Sequence, residues 1–368
     1  MQQVDVLVAG LGPGGCAAAL AARAAGLSTL ALEARGPEAT RAQLILLRPG
    51  AQAALQRLGL PDVTEGRRTT TIRHVENRLR AALMAAQAEG RTAAAPAPFE
   101  LHWHTSVSGL DVGPDHVLVT LRDATTGSER QVRARHVIDA AGGRLEALGR
   151  PARERAGPTH IVATAEYSAP PWFDGIVGVH DAQTHELCML FPTWGRKGVI
   201  VYLDARPGPG TDGATHVQRF EALARSLDLG PPQYPVMAVD VFQRALSRPT
   251  DDRVLPIGDS VGNVDVLWGA GASSAIEDGA EAAIAIAAAQ RAATPAAEQA
   301  RTREACARIF ARHRAIVRRG RIVLAVRPVL ERAWPKATLP AVQREAVGPP
   351  PLLWPAVRLA FGRRPQPR

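Results

Sequence analysis

The residues nearest the N-terminus that could do chemistry are a run of glycines, residues 10–15 (GLGPGG), and one acid, Glu33. Gly10 would permit a tight turn, Gly12 would let the backbone approach a pyrophosphate, and Gly15 would let a helix pack closely on a sheet. The free N–H groups of such a helix attract phosphates, and Glu33 would accept hydrogen bonds from ribose hydroxyls. The spacing predicts a dinucleotide site whose ribose carries no 2′-phosphate, because Glu33 would repel one.

The segments around these residues have the pattern of a strand–helix–strand unit. Residues 4–9 (VDVLVA) predict a strand, residues 16–25 predict an alanine-rich helix that ends at Gly26, and residues 27–32 predict a second strand. A glycine-rich turn in an unrelated α/β fold is the alternative. The flanking elements and the acid at the end of the second strand favour the dinucleotide-binding unit.

A second group of chemically useful residues lies in segment 258–279 (GDSVGNVDVLWGAGASSAIEDG). A Gly-Asp pair at a predicted strand end precedes a loop with two spaced glycines, and the loop opens a helix. The Asp259 carboxylate could accept a hydrogen bond from a ribityl hydroxyl. The N–H groups of Gly271 and Ala272 could face the O2/N1 edge of a flavin, where negative charge develops on reduction. The segment therefore indicates a flavin.

Three segments together resemble the FAD-binding fold of the aromatic-ring hydroxylase superfamily, the group A single-component flavoprotein monooxygenases. They are the glycine turn with Glu33, residues 137–143 (VIDAAGG) and residues 258–279. Residues 74–83 also resemble the helix of ubiquinone-biosynthesis hydroxylases that contributes polar contacts to FAD. The positions of the late segment that match the superfamily motif without a gap are Gly258, Asp259, Gly269, Gly271, Ala275, Ile276, Glu277 and Asp278. The cofactor-binding residues that the motifs and the resemblance together nominate are Gly10, Gly12, Gly14, Gly15, Glu33, Arg35, Arg41, Arg78, Val107, Gly258, Asp259, Gly271 and Ala272.

For four of these residues, an ordinary structural role explains the sequence as well as cofactor binding does. Arg35 and Arg41 would pair with the adenosine or the pyrophosphate, or they are solvated charges in an arginine-rich chain. Arg78 would contact FAD, or it faces solvent on its helix. Val107 would bond adenine through its backbone, or it is an ordinary strand residue.

Asp265 and Trp268 are the candidate catalytic residues, because the resemblance implies that their loop covers the isoalloxazine ring. Asp265 could orient a substrate hydroxyl or act as a base. The alternative is that it only caps the turn.

The sequence departs from the superfamily pattern at two places. Gly262, Asp265 and Val266 replace the usual His and Pro-Pro of the late motif. Residues 141–145 (AGGRL) lack the acid and the serine that help bind FAD and NAD(P)H. These losses bear on NAD(P)H-driven hydroxylation and not on FAD binding itself.

Two related families share part of the pattern. Gly262, Val264, Leu267 and Gly279 resemble the loop of geranylgeranyl reductases. Residues 137–143 and the pair Val264-Asp265 resemble flavin-dependent halogenases. The halogenase W-x-W-x-I-P signature is absent from the sequence, and neither of the two lysines, Lys197 and Lys336, lies where the catalytic lysine is expected.

The predicted fold class is α/β, with a Rossmann-like FAD-binding domain of the para-hydroxybenzoate-hydroxylase type, an inserted antiparallel substrate domain and C-terminal helices. The helices are predicted at 41–60, 72–89, 215–227, 272–289 and 295–334. Strands are predicted at 100–107, 117–122, 131–137 and 253–259, with a hairpin joining the second and third, and at several places within 160–245. The predicted divisions are 1–159 and 246–290 for FAD, with 41–90 contributing to FAD and substrate contacts, 160–245 for substrate, and 291–368 for helices and a Pro-rich tail.

Aromatic and polar residues within 160–245 are weaker candidates for substrate contact, because aromatics in strands are usually core. They are Trp172, His180, His185, Phe191, Trp194, Arg196 and Tyr202. His180 and His185 have no Cys or carboxylate partner at metal spacing, so no metal site is predicted. No Ser-His-Asp arrangement can be argued either.

Composition limits the remaining classes of function. The chain has 368 residues, 46% hydrophobic and 21% charged, which excludes bulk disorder. The net charge of +9 comes from arginine, but no basic run alternates with aromatics, so nucleic acid is not an expected partner. The three cysteines are scattered, no leader is expected, and no apolar run reaches about 20 residues. A cytoplasmic location is expected.

The resemblance implies an FAD-dependent monooxygenase, with NAD(P)H as a transient co-substrate and a flavin C4a-hydroperoxide that oxygenates an aromatic, polyketide-like or alkene substrate. An FAD-dependent alkene reductase of the geranylgeranyl-reductase type is one alternative, and a non-redox isomerase or cyclase is another. Residues 313–334 mix arginine with apolar residues and could lie on a membrane surface, as would suit a lipophilic substrate. Packing against the FAD domain is the preferred interpretation. The oligomeric state stays open.

Overall fold

The computed structural model describes residues 1–39, 44–63, 69–90, 97–142, 160–171, 177–181, 186–192, 198–205, 213–241, 252–261 and 271–333. The chain divides into two compact units. The first unit is Met1–Pro158 with Phe242–Arg314, and the second is Thr159–Val241 with Ala315–Arg368.

Strands and helices alternate in the first unit, and strands dominate the second. The strands are β1 Gln2–Ala9, β2 Thr29–Leu32, β3 Leu44–Leu46, β4 Thr69–Thr71, β5 Phe99–His102, β6 Thr105–Val112, β7 Val117–Asp123, β8 Glu129–Asp139, β9 His160–Ser168, β10 Val177–Asp181, β11 Glu186–Pro192, β12 Gly198–Ala205, β13 Met237–Val241 and β14 Val254–Pro256. The helices are α1 Pro13–Ala24, α2 Pro49–Arg57, α3 Ile72–Gly90, α4 Gly213–Ser226, α5 Gly271–Gln290 and α6 Pro295–Ala333. None of the helices in these described ranges combines the length and the apolar character that crossing a bilayer requires.

The main sheet of the first unit has the order β5-β2-β1-β8-β7-β6, and β14 also pairs with β8. The strands β5, β2, β1, β8 and β14 run parallel, whereas β7 pairs antiparallel with both β8 and β6. Strand β8 is long enough to pair at Ala134 with Val117 of β7 and at Ile138 with Leu255 of β14. Because β1, β2, β8 and β14 are parallel, their carboxyl ends meet at one edge of the sheet, where nucleotide sites form in open α/β sheets.

Both faces of this sheet are covered, which explains the nearly continuous apolar run of β1. Val6 and Val8 belong to a core shared with the alanine-rich helices, and Leu7 belongs to a second core with β6 and β7. Helices α1 and α5 approach closely because both carry glycine at the crossing. A Cβ atom on Gly279 would overlap the carbonyl oxygen of Gly14.

The second unit contains a five-stranded antiparallel sheet of order β10-β11-β12-β9-β13, so the antiparallel sheet predicted within 160–245 is confirmed. Helix α4 packs on this sheet, where the rings of Phe220 and Tyr167 stack with centroids 6.3 Å apart. Three of the weak substrate candidates lie in its strands, namely His180, Phe191 and Tyr202. The other four, Trp172, His185, Trp194 and Arg196, lie outside the described residues.

Two predicted elements were wrong. The helix predicted at 41–60 contains strand β3, which pairs with β4, and helix α2 begins only at Pro49. The backbone of Arg48 is extended, as the ring of a following proline favours, so the helix cannot extend backwards. The single strand predicted at 100–107 is two strands, because the chain turns at His104, which has a φ of 53°.

Candidate cofactor site

The glycine turn at the end of β1 contains two glycines that the protein's own packing requires. Gly10 has a φ of 97°, and a Cβ atom there would lie 2.7 Å from the carbonyl oxygen of Ala140. A Cβ atom on Gly15 would overlap the carbonyl oxygen of Gly10. The turn can therefore form only with glycine at both positions.

Gly12 differs, because a Cβ atom there would meet no atom of the described protein within 4 Å. Gly12 is the N-cap of α1 and has an ordinary φ of −70°, and no side chain in the described part of the chain caps this helix. The N-terminal end of α1 thus has open space beside Gly12, which suits the close approach of a pyrophosphate. This turn fits a dinucleotide.

Glu33 follows β2 and is fixed beside the turn. The residue is 5% exposed, its Oε2 accepts a 2.9 Å hydrogen bond from the Leu11 N–H, and its Oε1 accepts one of 2.9 Å from Arg35 Nε. Burial raises the pKa of the Glu33 carboxyl, but the hydrogen bonds from Arg35 and Leu11 outweigh it and hold the pKa below its usual value. Glu33 is therefore an anion at neutral pH and can accept from ribose hydroxyls.

Arg35 is held at this end of the site by the same ion pair. Its side chain is about one-third exposed, and the hydrogen bond to Glu33 raises the pKa of the guanidinium. Arg41, its companion in the sequence prediction, lies outside the described residues.

Arg80 is a residue that the sequence analysis did not select. Its Nη1 donates to the carbonyl oxygens of Pro37 (2.9 Å) and Ala39 (2.6 Å), and its guanidinium lies 5.5 Å from the centre of the Trp103 ring. It is 3% exposed and lies 3.9 Å from the buried Glu76. Arg80 therefore ties helix α3 to the segment after Glu33.

The sequence prediction placed the FAD contact of this helix at Arg78, which is exposed. The inward face of α3 carries Glu76, Leu79, Arg80 and Leu83, all buried. Helical periodicity could have shown that position 80 lies on the face of the apolar residues. The role of Arg78 stays a prediction.

Residues 137–143 and the late segment are joined by Asp139 and Ser260. Asp139 ends β8 and is 1% exposed, and its Oδ1 accepts from the Ser260 hydroxyl at 2.7 Å and from the Ala141 N–H at 3.2 Å. Backbone hydrogen bonds also join Ala140 to Ala9 and Ile257 to Asp139, each at 2.9 Å. The carboxyl ends of β1, β8 and β14 are thus connected directly.

The Gly-Asp pair opens a short 3₁₀ helix, Gly258–Val261. Gly258 has a φ of 54°, and its N–H donates to Asp278 Oδ2 at 3.3 Å. Asp259, the candidate ribityl ligand, is exposed at this turn. Gly271 and Ala272 begin α5 and are half-buried.

The fold brings the two predicted motifs together. A Cβ atom on Gly14 would lie 2.8 Å from the carbonyl oxygen of Ala275, so the first turn of α1 touches the start of α5. Val107 lies in β6, where it pairs with Leu121 next to a bulge. Asp265 and Trp268, the candidate catalytic residues, lie outside the described residues.

Comparison with known proteins gives a family and a fold. Residues 3–312 match the model of the family described as "FAD binding domain". No curated protein matches the sequence.

Solved structures with the same fold include two monooxygenases and a reductase-like protein. PqsL of Pseudomonas aeruginosa, a probable FAD-dependent monooxygenase, is 18% identical, with 88% of this chain and 96% of that chain covered at a TM-score of 0.67. The flavin-dependent monooxygenase PieE, solved with FAD and substrate, is 17% identical, with coverage of 97% and 71% and a TM-score of 0.70. A geranylgeranyl bacteriochlorophyll reductase-like protein of Thermoplasma acidophilum is 18% identical, with coverage of 97% and 96% and a TM-score of 0.67. The predicted fold class is confirmed.

Proposed function

The chain belongs to the FAD binding domain family, and from this premise we propose that it is an FAD-dependent monooxygenase that acts on a small molecule. Family membership confirms the predicted FAD cofactor and the class of flavin-dependent oxidoreductase. The reaction, the substrate class and the use of NAD(P)H are the proposal. The main structural support for the FAD cofactor on which the proposal depends is the buried anionic Glu33 beside an open glycine turn, because this pair suits the adenosine half of FAD.

Each part of the site has a proposed task in holding FAD. The N–H groups at Gly12 and the start of α1 would bind the pyrophosphate, and Glu33 would bind the ribose. Asp259 would accept from the ribityl chain. The N–H groups of Gly271 and Ala272 would face the O2/N1 edge and stabilise the negative charge that develops there on reduction.

Bound FAD would supply the redox and oxygen chemistry that no side chain can supply, with the electrons coming from NAD(P)H. The protein's task is to hold the substrate against the ring and to exclude water. We propose Asp265 and Trp268 for contacts near the ring, with Asp265 orienting a substrate hydroxyl or accepting its proton. We propose the antiparallel second unit as the source of substrate contacts.

An aromatic, polyketide-like or alkene compound is the proposed substrate, with NAD(P)H binding transiently as electron donor. Two of the structures with this fold, PqsL and PieE, are named as monooxygenases, which supports the proposed monooxygenase activity. A cytoplasmic location stays a prediction of the sequence.

A second candidate function is FAD-dependent reduction of an alkene. The pattern Gly262, Val264, Leu267 and Gly279 favours it, and a geranylgeranyl-reductase-like protein shares the fold.

Oxygen uptake separates the two candidates. Holoprotein would be mixed with NADPH or NADH and panels of aromatic, polyketide-like and isoprenoid compounds, while oxygen and reduced nicotinamide are followed together. A monooxygenase consumes both when its substrate is present, and the product gains one oxygen atom. Saturation of an alkene without oxygen would establish the reductase instead. Flavoprotein that responds to neither nicotinamide would leave only the non-redox alternative.

A further inference from the structure

Asp278 lies at the centre of a buried polar cluster that the proposed function does not use. It belongs to α5 and its side chain is fully buried. Oδ2 accepts the Gly258 N–H at 3.3 Å and contacts His313 Nε2 at 2.6 Å, while Oδ1 accepts from Arg312 Nη1. One carboxylate therefore joins the Gly-Asp turn to two side chains of α6.

Helices α5 and α6 carry further residues of opposite charge around the Asp278 carboxylate. Arg312 also donates to Glu281 and lies 3.8 Å from Glu277. One turn earlier, Arg308 pairs with Glu281 at 2.7 Å. The acidic residues of α5 thus face the basic residues of α6 along a stripe. Asp278 is the member of this stripe that contacts the Gly-Asp turn at Gly258.

His313 is placed for one contact. It is 1% exposed, and its Nδ1 has no hydrogen-bond partner within the described part of the chain. With Nε2 as the donor, the ring gives its single hydrogen bond to Asp278. Burial of a polar ring with one unsatisfied nitrogen is unfavourable, so an apolar side chain at this position would pack α6 against α5 at least as well. Packing alone therefore does not explain a histidine here.

The backbone of Gly258 explains what the cluster contributes. Its φ of 54° is a conformation that few residues adopt, and it determines the direction in which Asp259 leaves the turn. A hydrogen bond from the Gly258 N–H to a fixed carboxylate selects this conformation. A carboxylate held by an arginine and a histidine keeps its position when the neighbouring cofactor site is empty.

We propose that His313 and Arg312 are positioning residues for FAD, acting through Asp278 to hold the Gly258 turn in the conformation that presents Asp259. The C-terminal helix α6 thereby preorganises a cofactor turn to which it contributes no ligand. The inference deepens the FAD site and rests on Asp259 as a cofactor ligand. It does not depend on whether the reaction is oxygenation or reduction.

The test compares three variants of α6 in the full chain. His313→Leu removes the donor to Asp278, and His313→Gln keeps an N–H near the Nε2 position. Ile309→Ala is the matched control, since Ile309 is a core residue of the same helix with 2% exposure. Apoprotein would be titrated with FAD and followed by flavin fluorescence, with the visible spectrum recorded. Hydrogen exchange of the peptide containing Gly258 would be measured without FAD.

The dissociation constant of FAD should rise about tenfold or more in His313→Leu, as expected for loss of a charge-assisted hydrogen bond. His313→Gln and Ile309→Ala should stay within about threefold of the parent protein. Exchange at the Gly258 peptide should speed up only in His313→Leu. Equal weakening in Ile309→Ala, or no rescue by Gln, would overturn the positioning role.

Should His313→Leu fail to fold, Asp278→Asn provides the second arm, since it keeps the size of the side chain and removes the charge that orients Arg312. Unchanged FAD affinity and spectrum in that variant would also overturn the proposal. Tight FAD binding in the parent protein without oxygen uptake would refute the oxygenase alone and leave this inference intact.

Discussion

The N–H of Leu11 donates a 2.9 Å hydrogen bond to Glu33 Oε2, so the acid after β2 is fastened to the turn after β1. The same carboxylate accepts from Arg35, and only 5% of Glu33 is exposed. Two strand ends are thus held in the geometry that an adenine dinucleotide needs before any cofactor arrives.

Replacement of Glu33 by Gln should weaken FAD binding and destabilise the protein. The amide cannot accept from Leu11, Arg35 and a ribose hydroxyl together, so we expect about a tenfold higher dissociation constant for FAD and about 2 kcal/mol lower stability. Fluorescence titration and urea denaturation measure the two effects. Glu89→Gln, which alters an exposed pair with Arg23, is the control and should change neither.

The stability contributed by Glu33 should depend on pH in a stated direction. Hydrogen bonds hold its folded-state pKa below the ordinary value of 4.5, despite burial. A carboxyl of this kind stabilises the fold above its unfolded pKa, and the contribution is lost as pH falls through the folded pKa. The stability difference between the parent and Glu33→Gln should therefore be full at neutral pH and shrink in acid, as pH falls below 4.5 and through the lower folded-state pKa. A difference that grows in acid would contradict the assignment.

Gly12 and Gly15 should respond oppositely to the same added methyl group. A Cβ atom on Gly12 meets open space, whereas one on Gly15 overlaps the Gly10 carbonyl. Gly12→Ala should leave apoprotein stability within about 0.5 kcal/mol of the parent and raise the FAD dissociation constant about tenfold. Gly15→Ala should destabilise the apoprotein itself by about 3 kcal/mol. If Gly12→Ala bound FAD as the parent does, the pyrophosphate would not lie at this turn.

Removal of the Arg80 guanidinium should destabilise the first unit. Arg80→Leu leaves the carbonyls of Pro37 and Ala39 without their donor and Glu76 without its ion pair, a loss of about 3 kcal/mol. The double change Glu76→Leu with Arg80→Leu should lose less than the sum of the two single changes. Additive losses would show that the two charges are not coupled. Urea denaturation of the four proteins completes the cycle.

Local patterns sufficed for much of the fold. The strand, glycine turn and helix at the N-terminus lie within a short stretch, and the apolar run, the glycines and the acid all favour the same unit. The hairpin of β7 and β8 was predictable for the same reason, since its turn and both strands are adjacent in sequence.

Partners distant in sequence account for what was missed. Asp139 and Ser260 are 121 residues apart, and no local pattern pairs them. Arg80 could be buried only because carbonyls 41 and 43 residues away accept its hydrogen bonds. Strand β3 was mistaken for helix because its apolar residues suit both periods and its partner β4 lies in a different segment.

Asp259 should be required for FAD and dispensable for the apoprotein. It is exposed on the turn that Gly258 opens, so truncation removes little packing. Asp259→Ala should therefore unfold near the denaturant midpoint of the parent, yet its FAD dissociation constant should rise about tenfold or more, because a ribityl hydroxyl loses a charged acceptor. Asp252→Ala is the matched control. Asp252 lies just before β14, at the opposite end of that strand from the turn, and pairs with Arg303 at 2.6 Å. Full flavin content in Asp259→Ala after purification and dialysis would show that Asp259 is not a cofactor ligand. Equal loss of flavin in both variants would show that disturbance of β14, and not the loss of a ligand, releases FAD.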